Sequence, residues 1–187
     1  WDPELYGELL AVTGGKERMR FYAQRAGLTV SDELVAELHA VKTRHYTQLL
    51  AEGRIPLRPG VRRLIHEARE AGLILAIATT TTPENVVALL RHGLGPESPE
   101  WFSVIAAGDV VPAKKPAPDI YLWALATLGL GPADCLAIED SRNGFRAAIA
   151  AGIATVVTVN GYTQQEDFTG ARAVLTDDAG ARATLKD

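Results

Sequence analysis

The feature that most constrains the fold is a regular alternation of short apolar runs and helical patterns in the last two thirds of the chain. Continuous apolar runs such as Leu73–Ala78 and Cys135–Ile138 are of strand length and are typical of strands buried on both faces. Further runs of this kind lie at 104–107, 155–159 and 173–175. Strand–helix alternation favours right-handed crossovers between parallel strands. The sequence therefore predicts an α/β fold built on a Rossmann-like parallel sheet.

The first third of the chain differs because it carries helical patterns only. A helix is predicted around Leu5, a second from Lys16 and a third from Ser31. One side of the third helix, expected to face a core, carries Leu34, Leu38, Val41, Tyr46 and Leu49. Segment 53–60 contains two prolines and two glycines and stops any helix. We therefore predict a small all-helical domain over residues 1–57 and an α/β domain over residues 58–187.

The composition of the chain excludes several classes of protein. The formal net charge of −4 argues against a nucleic-acid partner, because binding to the phosphate backbone usually requires a basic face. Cys135 is the only cysteine of the 187 residues, which excludes an internal disulfide framework and favours a reducing compartment. No apolar run approaches the roughly 20 residues that span a bilayer. We expect a cytoplasmic monomer that binds neither membranes nor nucleic acid.

The first long apolar run leads into four consecutive threonines, Thr79 to Thr82, followed by Pro83. In open α/β sheets, ligands bind outside the carboxyl ends of the strands. Hydroxyl and backbone N–H groups between a strand and a helix can cradle a phosphate there. The alternative is that the threonines only cap the helix that Pro83 begins, since threonine favours N-cap positions and proline the first turn.

Two further loops carry charged residues at predicted strand ends. Lys115 precedes Pro116, and an ammonium on such a rigid turn can neutralise a phosphate, although a solvated lysine before a helix gives the same pattern. Glu139 and Asp140 follow an apolar run, and adjacent carboxylates suit Mg²⁺, which takes one or two carboxylates besides water and phosphate oxygens. Asp140 or Ser141 can instead cap the next helix. A charged Glu139 beside a buried strand nevertheless requires a partner.

In this order the three loops resemble motifs II, III and IV of the haloacid dehalogenase superfamily. Lys-Pro-Ala-Pro-Asp at 115–119 and Glu-Asp-Ser-Arg-Asn-Gly at 139–144 look like its branch of sugar phosphatases and phosphoglucomutases. Ala-Ile-Ala-Thr-Thr-Thr-Thr-Pro-Glu-Asn at 76–85 and Thr-Gly-Gly-Lys-Glu-Arg at 13–18 resemble the CbbY group, phosphatases of xylulose bisphosphate and related sugar phosphates. The resemblance covers essentially the whole chain. It implies a haloacid dehalogenase core and, over residues 1–57, a cap that selects the substrate.

The resemblance also implies a role for each candidate residue. Thr79 and Lys115 are the implied catalytic residues: the hydroxyl bonds the transferring phosphoryl group, and the ammonium pairs with the phosphate and the nucleophile. Glu139 and Asp140 are the implied ligands of Mg²⁺, the expected cofactor. The implied binding residues for a small phosphorylated sugar are Lys16, Arg18, Lys42, Thr80, Thr81 and Asn143. For the three basic residues of this set, a solvated cap surface is the alternative.

The sequence departs from the family's pattern at its start. In the family, an Asp nucleophile at the end of the first strand and a second Asp two residues later precede the cap, whereas this chain opens in cap-like helices at Trp1. We expect one strand and one helix, roughly 30–40 residues at ordinary element lengths, to be absent, and the core to lack its first strand. A gap is then expected between strands 73–78 and 135–138. The chain as printed should be inactive, because an aspartyl-phosphate intermediate needs that carboxylate.

Three functions compete at this point. The first is a Mg²⁺-dependent phosphatase acting on a small sugar phosphate or bisphosphate. The second is a phosphosugar mutase of the same family, which differs from the first in the acid–base residue and its neighbours. The third is a non-catalytic phosphate-binding remnant, against which stands the presence of Lys115, Glu139 and Asp140.

Overall fold

A computed structural model describes residues 1–176 of the protein. Its elements, in chain order, are α1 (Pro3–Leu9), α2 (Gly15–Arg25), α3 (Asp32–Ala51), α4 (Val61–Glu70), β1 (Leu75–Thr79), α5 (Pro83–Leu94), β2 (Phe102–Ala107), α6 (Asp119–Leu128), β3 (Leu136–Glu139), α7 (Arg142–Ala150), β4 (Ala154–Thr158) and β5 (Ala173–Leu175). They divide into two compact units, Val12–Val110 and Trp1–Ala11 with the described residues from Val111 onward. In the described part of the chain, no helix combines the length and the apolar character needed to cross a membrane.

The unit Val12–Val110 is built around a pair of parallel strands. β1 and β2 pair in parallel, with Ala76 opposite Val104 and Thr79 opposite Ala107. Helix α5 covers this pair with Val86, Leu90 and Leu94, which form a buried cluster with Ala107. Helix α3 packs against α5. This packing holds the start of α5, and hence the loop that follows β1, at the carboxyl end of the strand pair.

The other unit contains a second parallel sheet in the order β3–β4–β5. Glu139, the last residue of β3, lies opposite Val157 of β4. Phe145 of α7 packs with Val157, Val159 and Phe168 in a buried cluster, and the rings of Phe145 and Phe168 meet edge to face at 5.7 Å. Because α7 follows β3 after only two residues, its packing fixes the direction in which residues 139–144 leave the sheet.

The prediction of an α/β fold with parallel strands is confirmed. Every apolar run that was predicted to be a strand contains one, with the bounds moved by one or two residues at most of the ends. In the described residues β1 pairs only with β2, and β3 only with β4, so the two strands that were expected to flank a gap are not hydrogen-bonded to each other. The width of the expected gap stays a prediction.

Two details differ from the sequence-based expectations. The strands are not buried on both faces: Leu136 and Ile138 of β3 are 54% and 50% exposed, while Ala137 and Glu139 between them are buried. The described residues therefore cover only one face of β3. In α3, Leu34 and Leu38 are exposed and Val35 and Leu50 are buried, so the apolar stripe lies about one position away from the predicted one.

The predicted boundary between a cap at residues 1–57 and a core at 58–187 stays a prediction. Residues 1–57 contain helices and no strand, as expected. In terms of contacts, however, α2 and α3 belong to the same unit as β1 and β2, whereas α1 belongs to the unit that contains β3.

Candidate active site

The loop after β1 is held by hydrogen bonds among its own side chains. The backbone N–H of Thr81 donates to the Thr79 hydroxyl at 3.2 Å, and the Asn85 amide nitrogen donates to the Thr81 hydroxyl at 3.2 Å. Asn85 lies in the first turn of α5 and is only 3% exposed. These hydrogen bonds tie Thr79 to Thr81, and Thr81 to the first turn of α5.

The start of α5 is not capped by a side chain. Thr82 occupies the N-cap position and Pro83 the first helical position, as the capping alternative predicted, but the Thr82 side chain makes no capping hydrogen bond. Among residues 1–176, the buried Thr82 Oγ1 and Asn85 Oδ1 have no hydrogen-bond partner. Buried polar groups are normally satisfied. The Thr82 hydroxyl, which can donate, and the uncapped N–H groups of the helix make this loop a candidate cradle for an anion, whereas the Asn85 oxygen can only accept.

At the end of β3, the partner that Glu139 requires is Lys115. The carboxylate is 8% exposed, and its Oε1 accepts hydrogen bonds from the Lys115 ammonium and from the Tyr121 hydroxyl. The Lys115 side chain is itself only 10% exposed. The solvated-lysine alternative for Lys115 is therefore wrong for this structure, since a buried ion pair joins two of the sequence-predicted residues.

Tyr121, in the first turn of α6, is a member of this cluster that the sequence reasoning missed. Its hydroxyl lies 3.5 Å from the Lys115 ammonium, which is also 4.9 Å from the centre of its ring. Burial raises the pKa of Tyr121 well above its ordinary value, and the neighbouring charge of Glu139 adds to the effect. The phenol is therefore a neutral donor. Tyr121 lies two residues after the Lys-Pro-Ala-Pro-Asp segment, but its place in the sequence does not show that its hydroxyl donates to Glu139.

Gly144 is the second contributor that the sequence reasoning did not single out. It lies in the first turn of α7, and a Cβ atom at this position would overlap Oε2 of Glu139. Glycine costs about 1 kcal/mol relative to alanine in a helix, so its presence here has a packing reason. The absence of a side chain lets the Glu139 carboxylate lie directly against the start of the helix.

Residues 140–143 have different surroundings. Asp140 is exposed, whereas Ser141 is the N-cap of α7 and accepts the N–H of Gly144 at 3.2 Å, so the capping alternative is correct for Ser141. The Asn143 amide donates to the carbonyl of Ala11 at 3.0 Å, which ties the segment after α1 to α7. The structure thus brings Lys115, Glu139 and Asn143 into one unit with Asp140, while Thr79, Thr80 and Thr81 lie in the other.

Comparison with known proteins decides the family. A family model described as haloacid dehalogenase-like hydrolase matches residues 4–152. Over 181 residues the chain is 52% identical to the plasmid-encoded protein CbbY of Cupriavidus necator, covering 94% of this chain and 71% of that protein. The chain belongs to the haloacid dehalogenase-like hydrolases. The resemblance stated from the sequence motifs is confirmed.

Solved structures of relatives agree with this assignment. The crystal structure of CbbY from Rhodobacter sphaeroides in complex with phosphate superposes with a TM-score of 0.88 at 47% identity, covering 94% of this chain and 78% of that one. A mutant of the same protein, in complex with xylulose-(1,5)bisphosphate, matches with the same score, identity and coverage. The Rossmann-like core of this hydrolase family is therefore the fold of the chain.

The strand end at Glu139 and Asp140 fits a Mg²⁺ ion in part. Two adjacent carboxylates on a rigid strand end provide the hard oxygen donors that Mg²⁺ prefers, and Asp140 is exposed to a ligand. Oε1 of Glu139 already accepts from Lys115 and Tyr121, which leaves Oε2 for a metal or its water. Within residues 1–176 no three acidic, histidine or cysteine side chains form a complete ligand cluster. This donor set therefore suits an ion that takes its other ligands from water and phosphate.

The three basic candidates at the start of the chain lie on α2 and α3. Lys16 is in the first turn of α2, after Gly14, whose φ of 96° favours glycine. Arg18 donates to the carbonyl of Val12 through Nε at 3.3 Å and Nη2 at 3.1 Å. The pKa of Lys42 is lowered, mainly by partial burial and further by the Arg18 charge. Arg18 and Lys42 are thus close enough to repel each other, which an anion between them would relieve.

Proposed function

We propose that this hydrolase is a phosphatase that releases inorganic phosphate from a small phosphorylated sugar, with a bisphosphate of the xylulose type as the leading substrate. The observation that carries the proposal is the buried Lys115–Glu139 pair at a strand end, in a chain 47% identical to a CbbY whose structure contains xylulose-(1,5)bisphosphate. The buried Lys115 ammonium offers a phosphate contact, and the exposed carboxylate of Asp140, the residue after Glu139, offers an oxygen donor for a cation.

Each group then has a chemical task. The Lys115 ammonium neutralises charge on the transferring phosphoryl group, and the hydroxyls of Thr79 and Thr81 with the N–H groups at the start of α5 donate hydrogen bonds to its oxygens. Glu139 and Asp140 would hold Mg²⁺, which supplies Lewis-acid stabilisation of phosphate charge when bound. On the substrate's other end, a second phosphate would be read by Lys16, Arg18 and Lys42, while Thr80 and Asn143 are proposed to line the substrate site.

The nucleophile is the remaining requirement. A covalent phosphoryl intermediate needs a nucleophile in line with the phosphorus, and the family resemblance implies that this nucleophile is an Asp carboxylate. No Asp-x-Asp pattern occurs in the 187 residues. We therefore expect the chain as printed to hydrolyse nothing by itself, and activity is measured on the whole gene product. The monomeric state and a cytoplasmic location stay predictions.

The test is a matched pair of lysine variants. Lys115→Ala should lower kcat/KM for xylulose bisphosphate by about 10²–10³-fold, the loss expected when one electrostatic contact to the transition state is removed. Lys114→Ala removes the adjacent lysine of the same turn and should stay within about threefold of wild type. Release of inorganic phosphate is followed, and circular dichroism checks that both variants are folded.

Two results would contradict the proposal. If Lys115→Ala retains wild-type activity, the buried pair has no catalytic task. If the wild-type protein converts a sugar monophosphate into its isomer without net release of phosphate, the enzyme is a mutase rather than a phosphatase.

A further inference from the structure

We propose that Tyr121 is a positioning residue, whose hydroxyl holds the Glu139 carboxylate in the orientation needed to bind Mg²⁺. The inference rests on the proposed function, because it assigns Glu139 to the metal site. Tyr121 contacts neither the substrate nor the reacting atoms in this assignment. It acts through the oxygen that it holds.

The first argument is that the two oxygens of Glu139 have different surroundings. Oε1 accepts from both the Lys115 ammonium and the Tyr121 hydroxyl, and Oε2 lies against Gly144 at the start of α7. The two hydrogen bonds to Oε1 restrict the rotation of the carboxylate. They therefore also fix the direction of Oε2, the oxygen that is left for a metal or its bound water.

The second argument concerns what happens when substrate arrives. The ammonium of Lys115 is carried by a flexible four-carbon stem and is assigned to the phosphate, so its hydrogen bond to Glu139 must weaken when a phosphate draws it away. The Tyr121 ring is 8% exposed and is carried by α6, so its hydroxyl has far less freedom to leave. Tyr121 therefore preserves the orientation of Glu139 in the state in which Lys115 no longer does.

The third argument is steric. A Cβ atom on Gly144 would overlap the Glu139 carboxylate, so the position of this carboxylate is constrained by the backbone of α7 as well as by Tyr121. The two residues lie on different helices, α6 and α7. The Glu139 carboxylate is thus confined by a hydrogen-bond donor on α6 and by the backbone of α7. Metal ligands in proteins are commonly oriented by such neighbouring groups, which do not touch the metal themselves.

The experiment measures Mg²⁺ affinity directly, by calorimetry on the whole gene product without substrate. Tyr121→Phe keeps the ring and removes only the hydroxyl, and should weaken Mg²⁺ binding about 10–100-fold, the usual loss on removing such a partner. Raising the Mg²⁺ concentration should restore most of kcat, because the lost step is metal binding. Tyr162→Phe, which removes a hydroxyl from a half-exposed tyrosine of the same unit, should change neither value.

Gly144→Ala tests the same orientation without touching Tyr121. Alanine favours the helix, so a folding defect is not expected from helix propensity, yet its Cβ must displace Glu139. Mg²⁺ affinity should fall as in Tyr121→Phe, and the double variant should lose less than the product of the two single losses. If Tyr121→Phe does not fold, Gly144→Ala alone decides, because wild-type Mg²⁺ affinity in it means that the orientation of Glu139 is unimportant.

The outcomes separate this inference from the proposed function. A wild-type protein that binds Mg²⁺ and releases phosphate, with Tyr121→Phe within twofold of it in Mg²⁺ affinity, overturns the role of Tyr121 and leaves the phosphatase assignment standing. A wild-type protein that binds Mg²⁺ but releases no phosphate, with weakened binding in Tyr121→Phe, overturns the phosphatase assignment and supports the positioning role. A wild-type protein that releases phosphate but binds no Mg²⁺, even with inorganic phosphate present, overturns the role of Tyr121 and leaves the phosphatase assignment standing.

Discussion

Helices α5 and α7 both begin just after a strand that ends in polar residues, yet their first turns are satisfied in opposite ways. At α7, the Ser141 hydroxyl accepts the N–H of Gly144, and the Glu166 carboxylate accepts the N–H of Arg142 at 2.7 Å. At α5, the Thr82 side chain caps nothing, and in the described residues its buried hydroxyl has no partner. Where side chains of the protein itself accept the first N–H groups of a helix, the cap is structural. Where these N–H groups have no side-chain acceptor, they remain available to a ligand.

The same contrast holds for the charged candidates of the two units. In one, the Lys115 ammonium already faces a carboxylate, so this cluster is organised before any ligand arrives. In the other, partial burial lowers the pKa of Lys42 most and the Arg18 charge lowers it further, so two cations lie near each other. In the first arrangement opposite charges neutralise each other, whereas in the second two like charges lie close together. Variants of both units test this difference, and the largest effect is expected at Glu139.

Glu139→Ala should destabilise the protein by about 3–5 kcal/mol, because removing one partner of a buried ion pair leaves the other charge uncompensated. The measurement is the free energy of unfolding in urea. Glu166→Ala is the matched control, since it removes a carboxylate that bonds a backbone N–H of the same helix start, at a cost of about 1 kcal/mol. Equal losses for the two variants would mean that the Lys115–Glu139 pair is no more organised than a surface contact.

The two N-cap residues should respond differently to loss of their hydroxyls. Ser141→Ala should cost about 1 kcal/mol, as expected when a capping side chain is removed. Thr82→Val keeps the shape of the side chain and deletes a hydroxyl that caps nothing, so stability should be unchanged or slightly higher. Chemical denaturation of both variants checks this. A loss of 1 kcal/mol in Thr82→Val would place α5 in the same class as α7 and remove the argument for an open cradle.

The sequence was sufficient for the fold class and for Lys115 and Glu139 as candidate residues of the cluster at β3. Apolar runs mark strands whatever residues come after them, so each strand was found, while its ends shifted because pairing with the neighbouring strand decides where hydrogen bonding stops. The requirement that Glu139 have a partner followed from burial alone. Its identity as Lys115 followed only from the three-dimensional contact, across 24 residues of sequence.

Tyr121 and Gly144 show why the rest of the site could not be predicted from the sequence. Tyr121 contacts Glu139 across 18 residues, and nothing in a local pattern distinguishes a tyrosine that packs from one that also donates. Gly144 gave a weak local signal, since glycine disfavours a helix interior. Likewise, both Thr82 and Ser141 are good N-cap residues by type. Only the geometry shows that one of them caps and the other does not.

The smallest expected effect concerns the pKa of Lys42, which partial burial lowers most and the Arg18 charge lowers further. In Arg18→Gln the pKa of Lys42 should rise, but only part of the way to its ordinary value, because the burial remains. NMR titration of the Lys42 side chain measures it. Arg20→Gln is the matched control, since Arg20 lies on the same helix but pairs with Asp32 at 2.7 Å, and it should leave the Lys42 pKa unchanged.

The sign of the linked stability change comes from the same shift. A lowered pKa in the folded state means that the unfolded chain binds more protons between the folded and unfolded pKa values, so stability rises with pH across that alkaline window. Below it, charged Lys42 opposes folding, and Arg18→Gln should flatten the rise. An anion such as phosphate should flatten it too, by screening the two cations from each other. If Arg18→Gln leaves the Lys42 pKa and this slope unchanged, the two cations do not interact, and the contrast with the paired Lys115 is lost.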